Sequence, residues 1–109
     1  MSKKDDITAR LKEQVSLLPD EPGVYRFLDE QGVVIYVGKA KNLKKRVSSY
    51  FLARAGENRK TMMLVRNIRN IVHTVVPTEA DALLLENNMI KSLQPKYNIL
   101  LKDDKTFPW

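Results

Sequence analysis

The stretch GVYRFLDEQGVVIYVGKAKNL, residues 23–43, decides the fold. Two runs within it, Val24 to Leu28 and Val33 to Val37, are rich in the β-branched and aromatic residues that favour strands. The tetrad between them, Asp-Glu-Gln-Gly at 29–32, is typical of a turn. Two short strands joined by four residues predict a β-hairpin.

Helices are predicted on both sides of this hairpin. Before it, apolar residues recur at helical spacing up to Pro19, at Ile7, Leu11, Val15 and Leu18. After it, Asn42 can cap a second helix that runs to about Ala53, with an apolar stripe at Leu43, Val47 and Phe51. A third helix is predicted from Asn58 to about Ile68, with apolar contacts from Met62, Met63, Val65 and Ile68.

The remaining residues complete the sheet and add a fourth helix. Asn70 to Val76 reads as a third strand. Thr78, with Asp81 three residues later, predicts the start of a helix that ends before Pro95, and the tail 96–109 is predicted to be irregular. The expectation is a single domain over residues 1–109 of the α+β class, a small three-stranded antiparallel sheet flanked by helices.

Positive charge is concentrated in one part of the chain. The net charge is +6, but between Lys39 and Arg69 ten basic residues stand against a single acid, Glu57. Such a field attracts polyanions, with nucleic acid the first candidate and an anionic membrane surface the second. A well-solvated basic surface explains the same charge, so both interpretations stay open.

The composition excludes several kinds of site. No apolar run approaches the roughly 20 residues that span a bilayer, and the polar N-terminus lacks the apolar stretch of a secretory signal. The absence of cysteine excludes disulfides and Cys-ligated zinc. A single histidine, His73, excludes a multi-histidine metal cage and is interpreted as a structural or surface residue. These features fit a cytosolic protein without membrane association.

The fourth helix places a carboxylate on an apolar face. The neighbours of Glu86 at helical spacing are Ala82, Leu83, Met89, Ile90 and, one turn further, Leu93. Burying a carboxylate costs free energy unless it is paired or binds a metal. Glu86 is therefore either satisfied by an arginine or by reaching the helix edge, or it is an oxygen ligand for a divalent cation such as Mg²⁺.

Three tyrosines accompany basic residues. Tyr25 and Tyr36 lie on the two hairpin strands and Tyr50 on the second helix, alongside Lys39 and Arg46. Tyrosines in strands usually pack in the core. Nearby cations favour the ionised form of a phenol, whose usual pKa is near 10, so one of these tyrosines could instead act as a general base.

The segments Gly23-Val24-Tyr25 and Tyr36-Val37-Gly38 resemble the motif of the GIY-YIG nuclease family, with valine for isoleucine in both halves. The ordered remainder makes the resemblance specific: Lys39-Ala40-Lys41-Asn42-Leu43, then Arg46, Tyr50, Glu86 and Pro95-Lys96-Tyr97-Asn98. From about Leu17 onward the chain is similar to the N-terminal domain of the UvrC family, the nuclease component of the bacterial excinuclease. It departs slightly at Trp109, where a tyrosine is expected.

The resemblance implies a role for each matched residue. Tyr36 would be the general base, Arg46 would stabilise the transition state, and Glu86 would hold one divalent cation, Mg²⁺ or Mn²⁺. Tyr25, Lys39 and Tyr50 would support the site, and Asn98 would anchor the tail or contact the phosphate. Contacts to the DNA backbone would come from Lys39, Lys41, Lys44, Lys45 and Arg46.

The implied activity is hydrolysis of a phosphodiester in damaged double-stranded DNA, on the 3′ side of a lesion. Since proteins of the UvrC family are much longer, the chain is expected to be an excised, monomeric N-terminal domain with weak activity, lacking the regions that bind the excinuclease partner UvrB. Three alternatives stay open. A non-catalytic nucleic-acid-binding module would bind DNA through Lys44 and Lys45 without cleaving it, another GIY-YIG nuclease (homing or junction-resolving) would not prefer lesions, and a protein-interaction domain would do neither.

Overall fold

A three-stranded antiparallel sheet with strand order β2-β1-β3 forms the centre of the molecule. The computed structural model describes residues 3–52 and 59–99. The elements in chain order are α1 (Lys3–Ser16), β1 (Gly23–Leu28), β2 (Val34–Ala40), α2 (Leu43–Leu52), α3 (Arg59–Asn67), β3 (Asn70–Val75) and α4 (Glu79–Leu93). The predicted α+β class and the order of the elements are confirmed.

Strand β2 is longer than the sequence predicts. It was expected to end at Val37, but it continues to Ala40 because its last residues pair with the start of β1, Gly38 opposite Tyr25 and Ala40 opposite Gly23. Glycine and lysine favour strands weakly, so cross-strand pairing rather than local propensity extends this strand. Lys39 is therefore a strand residue.

The hairpin loop has five residues, 29–33, rather than the four expected. The Asp29 carboxylate accepts hydrogen bonds from the backbone N–H groups of Gln31 (2.9 Å) and Val33 (3.0 Å), and the Asp29 N–H donates to the Val33 carbonyl (2.9 Å). These bonds hold Val33 in the turn. Gly32 adopts a positive φ of 79° within it.

The two faces of the sheet carry two separate cores. Tyr25 and Phe27 of β1 pack on the side of α1, α2 and α3, while Val24 packs with Val37 and Ala82 on the side of α4. Alternation along the strand produces this division. The larger core confirms the predicted buried positions Leu11, Val15, Leu18, Leu43, Val47 and Ile68.

Helix α3 packs on the core through part of the face that was predicted. Met62 and Met63 were expected to be core contacts, but both are exposed. The predicted contacts of Val65 and Ile68 are confirmed, since Ile68 is fully buried and Val65 packs against the larger core, and Leu64, which was not predicted, is fully buried beside them.

Capping residues define the two helices near the site. The Asn42 side chain accepts a hydrogen bond from the Lys45 N–H at 3.0 Å, as its predicted N-cap role requires. Thr78 caps α4 by accepting from the Asp81 N–H at 3.1 Å and donating to its carboxylate at 3.0 Å. Both predicted helix starts are confirmed.

The start of the tail is helical, whereas an irregular tail was predicted. Residues 96–99 form one helical turn, because the N–H groups of Asn98 and Ile99 both donate to the Pro95 carbonyl. Several predictions lie outside the described residues. They are the end of the second helix at Ala53, the start of the third helix at Asn58, the packing of the Ile7 side chain and the tail from residue 100.

Two further expectations concern the surface. His73 is exposed, in agreement with its interpretation as a structural or surface residue. Among the helices that the structure describes, none has the length and apolarity needed to cross a membrane.

Candidate active site

Three tyrosines from three elements meet on one face of the sheet. Tyr25 and Tyr36 come from the paired strands β1 and β2, and Tyr50 comes from α2. The hydroxyls of Tyr25 and Tyr50 are hydrogen-bonded at 2.8 Å. The Tyr36 ring centroid lies 6.3 Å from that of Tyr25 and 6.2 Å from that of Tyr50. Phe27 packs against all three rings and supports what we call the tyrosine cluster, Tyr25, Tyr36 and Tyr50.

A β-bulge determines where Tyr36 points. The register shifts between Phe27 and Leu28, so that Phe27 pairs with Tyr36 and Leu28 with Val34, leaving Ile35 as an extra residue. Residues directly opposite each other in a pair of strands share a face. Tyr36 therefore lies on the same face as Phe27, inside the aromatic group.

Both motif glycines are required by close contacts. Gly38 pairs with Tyr25, and a Cβ at this position would overlap the Tyr25 ring. A Cβ on Gly23 would overlap the Thr74 carbonyl and lie 2.8 Å from a Leu43 methyl group. The Tyr25 ring can occupy its place in the cluster only because Gly38 has no side chain.

Gly38→Ala is expected to reduce the free energy of unfolding by about 2 kcal/mol, because the added methyl group must displace a fully buried ring. Denaturant unfolding followed by circular dichroism measures this. The matched control is Gly32→Asn, which tolerates the positive φ and has open space around it, so it should change stability by less than about 0.5 kcal/mol. Equal stability of Gly38→Ala and wild type would contradict the close packing of Tyr25 against β2.

Arg46 supplies positive charge to the tyrosine cluster. Its guanidinium lies over the Tyr50 ring, with Cζ 5.5 Å from the ring centroid, because the two residues are four apart on α2. Electrostatic attraction to Tyr25, together with a hydrogen bond to it, raises the pKa of Arg46. Arg46 is therefore a permanent cation at this site.

Burial, however, raises the pKa of every tyrosine in the cluster. Desolvation is the largest cause in each case; it raises the pKa of Tyr25 to about 12 and that of Tyr36 and Tyr50 well above 10. Arg46 lowers all three pKa values, but by less than burial raises them. The expected effect of a nearby cation on the pKa is therefore present for Arg46, but burial outweighs it, because the rings are more deeply buried than a strand pattern suggests.

Glu86 acts electrostatically on Tyr36. The residue is half-buried on α4, and its negative charge is one cause of the raised pKa of Tyr36. The face of α4 that packs on the sheet is centred on Ala82, with Leu85, Met89 and Ile90 packed beside it. The prediction of an apolar setting for Glu86 was therefore right in part.

Leu83 and Leu93, which were expected on the packed face of α4, are both exposed. Leu83 lies about 100° around the helix from Ala82, too far to reach the sheet. Leu93 is the last residue of α4.

An open groove of about 500 Å³ borders the tyrosine cluster. Lys39 at the end of β2 and the first turns of α2 and α4 form its walls, and Arg46 is shared with the cluster. The lining residues are Lys39, Ala40, Lys41, Asn42, Lys45, Arg46, Ser49, Glu79 and Ala82. Four of these are cations, and one of them, Lys41, forms an exposed ion pair of 3.7 Å with Glu79.

Asn98 binds the backbone of the strand that carries Tyr36. Its Nδ2 donates to the Val37 carbonyl at 2.9 Å, and its Oδ1 accepts from the Val37 N–H at 2.7 Å. The side-chain amide thus pairs with the outer edge of β2 as another strand would. The resemblance implies that Asn98 either anchors the tail or contacts the phosphate, and this contact corresponds to anchoring the tail.

The structure brings most of the predicted site residues together. Tyr25, Tyr36, Tyr50 and Arg46 share one cluster, with Glu86 acting on Tyr36, and Lys39, Lys41 and Lys45 line the adjoining groove. Lys44 does not line it.

Sequence reasoning missed Phe27, Ser49 and Glu79. Phe27 follows Tyr25 at strand spacing and could have been found from that period. Ser49 and Glu79 left no local signal, because the groove arises where separate helices converge.

Comparison with known proteins agrees with this geometry. The family model of the UvrC-like GIY-YIG domain matches residues 21–99. The chain is 64% identical over 99 residues to UvrABC system protein C of Flavobacterium psychrophilum, covering 91% of this chain and 16% of that protein. It is 62% identical over 91 residues to UvrABC system protein C of Porphyromonas gingivalis, covering 84% of this chain and 15% of that protein. The chain thus spans about one sixth of the length of these relatives.

Solved structures show the same fold. The crystal structure of the GIY-YIG N-terminal endonuclease domain of UvrC from Thermotoga maritima, bound to its catalytic divalent cation, magnesium, superposes with a TM-score of 0.72 at 35% identity. The match covers 89% of this chain and 98% of that one. A Tyr-to-Phe point mutant of the same domain, also bound to its catalytic divalent cation, gives a TM-score of 0.73 at 34% identity, covering 89% and 98%. Fold, motif geometry and sequence identity lead to one conclusion: the chain belongs to the family of UvrC-like GIY-YIG domains.

Proposed function

We propose that this domain is a metal-dependent DNA endonuclease that hydrolyses a phosphodiester. One observation carries the proposal: the Tyr36 ring lies 6.2 Å from the Tyr50 ring, over which the Arg46 guanidinium is placed at 5.5 Å, and the Glu86 carboxylate is close enough to raise the pKa of Tyr36. A proton acceptor, a positive charge and a metal ligand around one point are the groups that hydrolysis of a phosphodiester requires.

The residues present fit a single divalent cation. Within residues 3–52 and 59–99 no group of three or more His, Cys, Asp or Glu side chains could enclose a metal, so a fully protein-ligated site is not available there. Mg²⁺ binds through one or two carboxylates and keeps several waters, and the half-buried Glu86 offers one such oxygen donor. The solved relative from Thermotoga maritima is bound to magnesium, and we extend that ion, or Mn²⁺, to Glu86 here.

When bound at Glu86, a divalent cation would polarise the scissile phosphate and place positive charge beside Tyr36. Residues of the chain itself transfer the proton, stabilise the developing charge and hold the site in place. Once the Tyr36 hydroxyl has given its proton to solvent, the resulting phenolate accepts a proton from the attacking water, and the bond from phosphorus to the 3′ oxygen breaks as the new P–O bond forms. Arg46 stabilises the negative charge that develops on the phosphate oxygens, and the leaving 3′ oxygen takes a proton from solvent. Tyr25 and Tyr50, joined by their hydrogen bond, hold Arg46 and Tyr36 in place. Lys39 balances phosphate charge from the other face of β2.

The basic groove is the proposed path of the DNA backbone. Lys39, Lys41, Lys45 and Arg46 line it, and it leads directly to the tyrosine cluster through Arg46. Lysine and arginine contacts to phosphates position DNA without reading its sequence. The groove thus accounts for DNA affinity, and selection of the cleaved site comes from elsewhere.

Lys45→Gln is expected to weaken binding to a short DNA duplex and to lower the salt dependence of the binding constant by about one unit of slope, because one phosphate contact is lost. Lys44→Gln is the matched control: it removes the same charge from the neighbouring position outside the groove, so its effect should be smaller. Fluorescence anisotropy at several salt concentrations measures both. Equal losses would mean that the overall charge, and not the groove, binds DNA.

Several properties of the full-length relatives are extended to this chain as part of the proposal. The substrate is damaged double-stranded DNA, with incision on the 3′ side of the lesion. The chain functions as one monomeric domain of a longer cytoplasmic protein, whose other regions bind UvrB. Since the chain spans 16% of such a relative, its activity alone is expected to be weak.

A cleavage assay tests the function. Duplex DNA with one bulky lesion is incubated with the domain and Mg²⁺, Mn²⁺ or a chelator, with and without the other excinuclease proteins. We expect cleavage that depends on the metal and is enhanced beside the lesion by those proteins. DNA binding without cleavage under every condition would overturn the proposal and leave a binding module, whereas equal cleavage of undamaged DNA would indicate another type of GIY-YIG nuclease.

A further inference from the structure

The helical turn 96–99 is attached to two separate parts of the molecule. Asn98 holds the edge of β2 through two hydrogen bonds to Val37, 61 residues away in sequence. The adjacent residue, Tyr97, is buried in the larger core, and its hydroxyl accepts a hydrogen bond of 3.1 Å from Asn67 Nδ2. Because Tyr97 and Asn98 belong to one turn of helix, the position of either side chain restricts the other.

Asn67 is itself fixed at the end of α3. It is the last residue of that helix, and its Nδ2 also donates to the Met63 carbonyl at 2.8 Å, one turn earlier. An amide nitrogen carries two hydrogens, so it can make both bonds at once. The Tyr97 hydroxyl is therefore held by a group that α3 has already oriented.

This series of contacts, which begins at Asn67, ends at Val37, the residue next to Tyr36. Strand β2 has β1 as its only neighbouring strand in the described sheet. The Val37 N–H and C=O point away from β1, since both bond to Asn98. Asn98 therefore restrains the outer edge of β2 one residue from Tyr36, at a strand already irregular at Ile35.

We infer that Asn67 is a positioning residue for Tyr36. Its hydrogen bond to Tyr97 fixes the position of the turn 96–99, and the turn fixes the position of the Asn98 side chain. Asn98 in turn restrains the backbone of β2 at Val37. The inference rests on the proposed function of Tyr36, because positioning affects catalysis only if that hydroxyl takes part in it. Asn67 lies outside the tyrosine cluster and the groove, so it would act only through the turn.

The test compares Asn67→Ala, Tyr97→Phe and the double variant in Mg²⁺-dependent cleavage. Tyr97→Phe removes only the hydroxyl and keeps the buried ring, so it should fold even if Asn67→Ala is destabilised. Each single variant is expected to lower kcat about fivefold, the equivalent of one neutral hydrogen bond, and to leave KM unchanged. The double variant should lose about fivefold as well, since both changes remove the same bond. Gln31→Ala, which removes an exposed amide side chain from the hairpin loop, is the control and should match wild type.

A second measurement does not depend on activity. Hydrogen exchange of the Val37 amide, followed by NMR, should accelerate about fivefold in both single variants and remain unchanged in Gln31→Ala. Unchanged exchange at Val37 together with wild-type kcat would overturn the inference while leaving the nuclease function intact. If the wild-type domain cleaves no DNA, the proposed function fails, and the exchange rates still decide whether Asn67 controls the edge of β2.

Discussion

Replacing Glu86 by glutamine is expected to lower the rate of DNA cleavage about a thousandfold or more, because the variant keeps the shape of the side chain but removes the charge proposed to hold the divalent cation. The change also removes a negative charge that acts on Tyr36. Single-turnover cleavage at increasing Mg²⁺ concentration measures the effect. Isothermal titration calorimetry should show a matching loss of cation affinity, and the variant should remain folded.

Glu30→Gln is the control for this experiment. Glu30 is an exposed carboxylate in the hairpin loop, so the variant changes the net charge equally without altering the site. Its cleavage rate and cation affinity should equal those of wild type. If Glu86→Gln cleaved DNA as fast as wild type at limiting Mg²⁺, Glu86 would not be the metal ligand.

Tyr36→Phe is expected to reduce kcat by about a hundredfold to a thousandfold, the usual contribution of a positioned proton acceptor. The ring should stay in place, because its packing against Phe27, with centroids 6.0 Å apart, does not involve the hydroxyl. Stability should therefore be close to that of wild type, as thermal unfolding would show. Cation affinity should also persist, since Tyr-to-Phe point mutants of the Thermotoga maritima domain are bound to their catalytic divalent cation.

Phe27→Leu provides the comparison for Tyr36→Phe. It disturbs the support of the three rings without removing a hydroxyl, so it should reduce stability by about 1 kcal/mol or more and reduce kcat much less. Loss of kcat in Phe27→Leu as large as in Tyr36→Phe would mean that the ring arrangement, and not the Tyr36 hydroxyl, determines the rate.

Local patterns were sufficient to predict most of the fold. The hairpin followed from two β-rich runs around a turn, and the helix starts followed from Asn42 and Thr78, whose capping bonds depend on residues within one turn. Sequence patterns did not predict the end of β2, because pairing with β1 outweighs the weak strand propensity of the residues there. The last residues of β2, Gly38 to Ala40, are strand residues because β1 lies opposite them, which a scan along one strand does not detect.

The residue types of the site were predictable, but their environment was not. The tyrosines, Arg46 and Glu86 were identified from their pattern in the sequence. The depth of burial that raises the pKa of Tyr25 and Tyr36 depends on rings and helices distant in sequence. The same holds for the groove, whose walls at Ser49 and Glu79 come from different helices.

The hydrogen bonds of Asn98 to Val37 have a consequence for the behaviour of the protein at high concentration. An open strand edge is a template on which a second molecule can extend the sheet. Asn98 occupies the two backbone groups that such a molecule would need at the middle of β2. One side-chain amide thus makes the Val37 position of the β2 edge unavailable for pairing with a second molecule.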